Sequence, residues 1–164
     1  MEKVISIGKQ NFASLRENHY FFVDKSHFIK DWWENGDEIT LITRPRRFGK
    51  TLNMSMLDCF FSNKYAARGD LFEGLGVWKE EKYRELQGKY PVIFLSFAAV
   101  KADQLSEAKI QIKQQIARVY EENRYLLDGD LLSGNEKKAY NEVNLHMGDA
   151  EAAAALNNMS MYLA

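Results

Sequence analysis

The feature that most constrains the fold of this chain lies between residues 39 and 62, where a strand-type apolar run is followed by a polar loop and a helix-type segment. Residues 39–43 form a short apolar run rich in β-branched side chains, which is typical of a buried strand. A polar loop follows and ends in Gly-Lys-Thr, and residues 51–62 are then predicted to form a helix. A strand that leads through such a loop into a helix predicts an α/β architecture.

Two further segments have the character of strands. Residues 91–97 are almost continuously apolar, which favours a strand covered on both faces. Residues 20–23 are aromatic and end in valine, and they are predicted to be extended or strand-like. Helices are predicted to fill most of the remaining chain, so that helix outweighs strand by a wide margin.

Local signals predict where several helices begin and end. Asn11 is expected to cap a short helix, and Gly36 to terminate the helix that follows residues 24–26. Ser-x-x-Glu and Asp-x-x-Glu spacings predict capping boxes at residues 133–136 and 70–73.

The loop between the first strand and its helix has the residue types that hold phosphate. Its ending matches the second half of the phosphate-loop pattern G-x-x-x-x-G-K-[ST]. Gly49 lets the backbone turn so that successive N–H groups point inward at an anion. Lys50 is a mobile positive charge for the β and γ phosphates. Thr51 offers a hydroxyl to Mg²⁺, and its helix directs the positive end of its dipole at the anion.

One position departs from that pattern. The first glycine belongs at position 44, where this chain has Arg44. Together with Arg46 and Arg47 it either neutralises a triphosphate or is simply solvated. The short motif by itself leaves both a nucleotide site and an ordinary basic turn open.

Composition and charge exclude several classes of protein. With 22 basic and 23 acidic side chains, the net charge of −1 gives no support to binding of nucleic acid or membranes through bulk electrostatics. Cys59 is the single cysteine and has no partner for an internal disulfide. No signal peptide or apolar run of membrane-spanning length is present, so a cytoplasmic location is expected.

Four sequence strings carry a resemblance to a known family. Residues 44–51 read Arg-Pro-Arg-Arg-Phe-Gly-Lys-Thr, and residues 20–26 read Tyr-Phe-Phe-Val-Asp-Lys-Ser. Residues 70–75 and 90–97 are similar to two further elements of that family, and they follow the loop in the same order. The chain resembles a family of predicted bacterial AAA-type ATPases, in which the first glycine of the Walker A loop is routinely replaced. Members often continue into a domain that looks like a restriction-type nuclease.

The resemblance implies a site for ATP and Mg²⁺. The implied nucleotide-binding residues are Arg44, Pro45, Arg46, Arg47, Phe48, Gly49, Lys50, Thr51 and Leu52. Thr51 is expected to contact Mg²⁺ through the nucleotide. Asp24 and Lys25 either join this pocket or serve the local structure, Asp24 as a helix cap and Lys25 as a solvated side chain.

The family's Walker B strand, an apolar run that ends in adjacent acidic residues, has no counterpart here. The expected fold is therefore a helix-rich, P-loop NTPase-like α/β fold whose sheet is incomplete because the chain ends before that strand. We predict one domain over residues 1–164, with a lead-in at 1–37 and the core at 38–164. No catalytic residue is assigned, and hydrolysis by this chain alone is not expected.

Three functions fit these observations. The first is the ATP-binding part of an AAA-like ATPase, and the second is a switch module that binds nucleotide without turnover. The third is a nucleic-acid-associated module of a nuclease-linked protein, which the charge does not support and a salt titration would test. The expected partners are the nucleotide and either the missing C-terminal part of the domain or another copy of the chain. The two apolar strands are expected to pair with each other or with another copy, and the alternative is that the sheet keeps a gap and the fold is only marginally stable.

Overall fold

The computed structural model describes residues 4–45 and 47–164, and helices dominate this part of the chain. The α-helices are α1 (Phe12–Glu17), α2 (His27–Asn35), α3 (Lys50–Phe61), α4 (Glu81–Arg84), α5 (Leu105–Glu122), α6 (Gly134–Glu142) and α7 (Asp149–Leu163). The 3₁₀ helices are η1 (Asn63–Tyr65), η2 (Gly69–Phe72), η3 (Gly76–Lys79) and η4 (Arg124–Leu127).

The predicted sheet is wrong for the described residues. Residues 20–23, 39–43 and 91–97 form no strand there, and the one bridge that occurs is an isolated parallel pair between Ser62 and Tyr90. The α/β, P-loop NTPase-like fold with an incomplete sheet is therefore not what this structure has. The physical reason is that a strand is defined by its neighbour. The sequence pattern identified segments with strand character, but not the backbone that each would need as a partner.

The chain divides into two compact units, Met1–Val92 and Ile93–Ala164. The core of unit 1 is built around α3, where Met56, Cys59 and Phe60 are fully buried. Phe12 of α1 and Phe72 of η2 pack into the same cluster, with their ring centroids 5.1 Å apart. The C-terminal half of α3 is therefore fixed by an aromatic core.

Unit 2 is built from α5, α6 and α7. Ile116, Val119 and Tyr120 of α5 are buried together with Tyr140 of α6 and Met159 of α7. Residues at the i, i+3 and i+4 positions of α5 thus form the apolar stripe that the helical period predicts.

Several of the predicted caps are confirmed. The Asn11 side chain accepts a hydrogen bond from the Ser14 amide at 2.7 Å, and Gly36 ends α2 in the left-handed conformation. Ser133 forms a complete capping box with Glu136. The box at residues 70–73 is wrong, because Asp70 lies inside η2 and its carboxylate instead accepts hydrogen bonds from Arg68.

No helix in the described residues is both long enough and apolar enough to cross a membrane.

Candidate functional site

The loop before α3 has an unusual backbone. Gly49 is the N-cap residue of α3 and has a φ of 76°, and Arg47 has a φ of 69°. The left-handed conformation costs a residue with a side chain about 1–2 kcal/mol, whereas glycine adopts it freely. Two left-handed residues within three positions turn the chain sharply into the helix. Alternation of this kind is what directs successive backbone N–H groups toward one anion.

The body of α3 holds this turn in place. Ser55 accepts a hydrogen bond from the backbone N–H of Phe12 at 3.0 Å, which ties α3 to the start of α1. Further along the same helix, Met56, Cys59 and Phe60 have no exposed surface. The first turn of α3, by contrast, carries the exposed Thr51. The sequence thus anchors the C-terminal end of the helix in the core and leaves Thr51, at the N-terminal end, exposed.

Lys50, in the first turn of α3, hydrogen-bonds back to the loop that precedes the helix. Its Nζ donates hydrogen bonds to the carbonyl oxygen atoms of Arg44 and Pro45, the latter at 3.0 Å. An ammonium group has three donors and no acceptor. Its side chain therefore spans the loop that a bound phosphate would contact.

A cavity of about 360 Å³ lies beside this loop. Three cations, Lys25, Arg44 and Lys50, contribute to its lining, which is completed by Phe28, Ile42, Phe48 and Asn53. Lys25 approaches the loop closely, because its Nζ lies 3.8 Å from the place that a Cβ on Gly49 would occupy. Among the residues that the structure describes, no carboxylate lines this cavity. The site therefore favours an anion.

A second cavity, of about 680 Å³, is also lined in part by Lys50. Arg47, Gly49, Lys50, Thr51 and Leu52 form one part of its lining, and residues 7–10 form the other. Both cavities fall in the size range of small-molecule sites. The turn of Gly49 and Lys50 thus lies beside space large enough for a nucleotide.

Asp24 lies elsewhere, at the start of α2. Its carboxylate accepts hydrogen bonds from the backbone N–H groups of Ser26, at 2.8 Å, and of Gly76, at 2.7 Å. Burial raises the pKa of Asp24, but the hydrogen bonds from Ser26 and Gly76 outweigh it and hold the pKa below its usual value. The fully buried Ser26 accepts a hydrogen bond from the Val77 N–H. The Asp24 carboxylate thus links residues 24–26 to the start of η3. Because Lys25 is the next residue, this link also positions Lys25.

The structure brings most of the predicted binding residues to the two cavities. Lys25, Arg44, Phe48 and Lys50 line the first, and Arg47, Gly49, Lys50, Thr51 and Leu52 line the second. Pro45 contributes its carbonyl oxygen to Lys50, Asp24 lines neither cavity, and Arg46 lies outside the described residues.

Sequence reasoning missed several lining residues. Asn53 lies one helical turn after Gly49, so the helical period offered a signal for it. Phe28 and residues 7–10 reach the loop through the tertiary fold. No local pattern identifies them.

The donor set fits a triphosphate better than a free metal ion. Lysine and arginine side chains match phosphate oxygen atoms, whereas Mg²⁺ is held by carboxylates, hydroxyls and phosphates. The Thr51 hydroxyl is the Mg²⁺-type ligand that the loop offers. A magnesium ion here would therefore be held largely by the phosphates themselves. The described residues contain no cluster of three or more His, Cys, Asp or Glu side chains placed to hold a metal.

Cys59 is a structural residue. Burial raises the pKa of its thiol to about 11, and the charge of Asp58 adds to this effect. A thiol with such a pKa is protonated at neutral pH and is a poor nucleophile. Its place in the core beside Phe60 explains its presence.

Comparison with known proteins gives one family and one relative. The model of the family described as predicted AAA-ATPase matches residues 6–155. An uncharacterized protein in the vnfD 5' region of Azotobacter chroococcum mcd 1 is 36% identical over 96 residues, which cover 58% of this chain and 17% of that relative. The match thus spans about a sixth of the relative's length. No solved structure matches the chain.

Proposed function

Because the chain belongs to the predicted AAA-ATPase family, we propose that it binds ATP with Mg²⁺ through the loop of residues 44–51. The observation that carries the proposal is the convergence of Lys25, Arg44 and Lys50 on one cavity at the N-terminal end of α3. Three positive charges and a helix N-terminus all favour the same ligand, a polyphosphate.

Each part of the loop has a separate role in this proposal. The backbone N–H groups around Gly49 hold phosphate oxygen atoms, and the left-handed turns at Arg47 and Gly49 orient them. Lys50 exchanges its hydrogen bonds to the Arg44 and Pro45 carbonyls for charge-assisted bonds to phosphate.

Arg44 stands where the standard loop has its first glycine. Its side chain lines the cavity that Lys25 and Lys50 also line. The loop thus gains a charge at a position that elsewhere supplies only flexibility. This charge supports phosphate binding by a loop that has one glycine fewer.

Magnesium would neutralise the β and γ phosphates and fix their geometry. Thr51 is the protein ligand proposed for it. The described residues that line the two cavities include no carboxylate to orient an attacking water. We therefore propose nucleotide binding, with phosphate release by residues 1–164 at the background rate.

Titration calorimetry with Mg-ATP tests the assignment. Lys50→Ala should weaken binding by at least roughly tenfold, because it removes charged hydrogen bonds. Lys138→Ala is the matched control, since Lys138 is an exposed lysine of α6 in unit 2 and should leave affinity unchanged. Equal affinity for the wild type and Lys50→Ala would refute the proposal.

Thr51→Ala tests the metal separately. This variant should bind metal-free ATP like the wild type but lose the gain in affinity that Mg²⁺ provides. A full magnesium effect in Thr51→Ala would show that Thr51 is not a ligand.

A further inference from the structure

The two cavities beside the loop differ in size and share Lys50 in their lining. The larger one, of about 680 Å³, has the room that a nucleoside needs. The smaller one, of about 360 Å³, is bordered by three cations, Lys25, Arg44 and Lys50. Because the lysine of a phosphate loop reaches the β and γ phosphates, a phosphate chain that passes Lys50 would end in the smaller cavity. The terminal phosphate carries the most negative charge, which suits a small space bordered by three cations.

Lys25 carries a charge that no described carboxylate balances. Its ammonium group forms no ion pair with another described residue, whereas Lys30, on the helix that follows, pairs with Glu80 at 3.0 Å. The Lys25 Nζ lies 3.8 Å from the place that a Cβ on Gly49 would occupy. A cation that lies beside other cations without a counter-charge favours an anion as its ligand.

The residues on both sides of Lys25 are hydrogen-bonded to η3. The Asp24 carboxylate accepts a hydrogen bond from the Gly76 N–H at 2.7 Å, and the Ser26 hydroxyl oxygen accepts one from the Val77 N–H at 3.1 Å. These bonds fix the point from which the Lys25 side chain extends. A side chain that starts from a fixed backbone loses less conformational freedom when it contacts a ligand.

We propose that Lys25 contacts the terminal phosphate of ATP and so makes the site select ATP over ADP. Asp24 is then a positioning residue, because it acts by holding the backbone next to Lys25 and lines neither cavity. This inference rests on the nucleotide site proposed above and adds its selectivity. Neither role belongs to the Gly-Lys-Thr loop, because both residues come from the segment before α2.

Titration calorimetry with Mg-ATP and Mg-ADP tests the selectivity. The wild type should bind ATP at least roughly tenfold more tightly than ADP, because only ATP gains the charged hydrogen bond from Lys25. Lys25→Gln is uncharged and of similar length, and it should bind ADP like the wild type but lose most of the preference for ATP. Lys25→Arg keeps the charge and should keep most of the preference. Lys30→Gln is the matched control and should leave both affinities unchanged.

The outcomes of this experiment separate the inference from the function on which it rests. A wild type without preference, an unchanged preference in Lys25→Gln, or equal losses for ATP and ADP in that variant would overturn the inference and leave the proposed function in place. Equal losses are the result expected if the smaller cavity holds the base. A wild type that binds neither nucleotide would refute the proposed function and the inference together.

Asp24→Ala tests the positioning role. The readout is the ratio of the dissociation constants for ADP and ATP, which partial unfolding does not change because it weakens both affinities alike. Asp24→Ala should lower this ratio by roughly threefold, the effect expected when one lysine side chain must be ordered on binding. Asp24→Asn should retain the ratio, because its amide oxygen can still accept the Gly76 N–H.

A double-mutant cycle decides whether Asp24 acts through Lys25. In the Lys25→Gln background, Asp24→Ala should have no further effect on the ratio of the two dissociation constants. An unchanged ratio in the single Asp24→Ala variant, or an equal further loss in the double variant, would overturn the positioning role.

Discussion

The cores of the two units bury different aromatic residues, mainly phenylalanine in unit 1 and tyrosine in unit 2. Unit 1 packs aromatic rings against each other, with the Phe60 and Phe72 centroids 5.0 Å apart. Unit 2 adds polar links to its core, because the Tyr120 hydroxyl donates to the Ala155 carbonyl at 2.8 Å and the Tyr140 hydroxyl to the Tyr120 carbonyl at 2.6 Å. Those links join α5 to α7 and to α6.

The difference indicates where a ligand can bind. In unit 1 the C-terminal half of α3 packs in the aromatic core. The N-terminus of the same helix lies beside two cavities. In unit 2 the tyrosine hydroxyls and the carbonyls that they contact are used in joining helices. The two cavities at the start of α3 are the reason that we propose unit 1 as the location of the ligand site.

The largest effect on stability is expected from Phe60→Ala. This change removes a fully buried ring from unit 1 and should lower the free energy of unfolding by about 3–5 kcal/mol. Urea unfolding measures this loss, and hydrogen exchange shows which unit opens. Phe21→Ala, at a half-exposed position of the same unit, is the control and should cost far less. Similar losses in the two variants would contradict the aromatic-core account.

A smaller effect is expected from Tyr140→Phe in unit 2. The variant keeps the ring but removes the hydroxyl that bonds to the Tyr120 carbonyl, at an expected cost of about 1–2 kcal/mol. Tyr125→Phe is the control, because that side chain is 45% exposed and its hydroxyl bonds to no other described residue. If the two variants unfold alike, polar links do not distinguish unit 2 from unit 1.

The smallest effect concerns Asp149 at the start of α7. Hydrogen bonds from Lys109 and Lys113 lower the pKa of its exposed carboxyl to about 2. Because the folded pKa lies below the unfolded value, its contribution is present above about pH 4 and is lost as the pH falls toward 2.

The matching variant is Asp149→Asn. Its melting temperature should lie slightly below that of the wild type at neutral pH and converge with it near pH 2. A gap that persists unchanged at that pH would show that the carboxylate charge is not the cause.

Features set by neighbouring residues could be predicted from the sequence. The Asn11 cap, the Gly36 stop and the box at Ser133 follow from short-range hydrogen bonding and backbone freedom. The box at Asp70 failed because Arg68, two residues earlier, binds that carboxylate instead. The capping-box spacing does not show whether a neighbouring arginine will bind the carboxylate first.

Features that depend on distant chain could not be predicted. The strand character of residues 39–43 and 91–97 was identified from composition, but a strand requires a partner, and the described residues provide none. At the site, the Gly-Lys-Thr ending located Gly49, Lys50 and Thr51. Residues 7–10 reach the second cavity only through the tertiary fold.

The most direct test of the central claim is to map ligand contacts residue by residue. Amide NMR spectra of the ¹⁵N-labelled chain, titrated with Mg-ATP, should show saturable shifts at Gly49, Lys50 and Thr51. The amides of unit 2, such as Tyr140, should not move, and Lys50→Ala should require at least roughly tenfold more Mg-ATP to produce the shifts at Gly49 and Thr51. Saturable shifts confined to unit 2, or unmoved amides at residues 49–51 when ATP is bound, would contradict the claim that the loop before α3 is the nucleotide site.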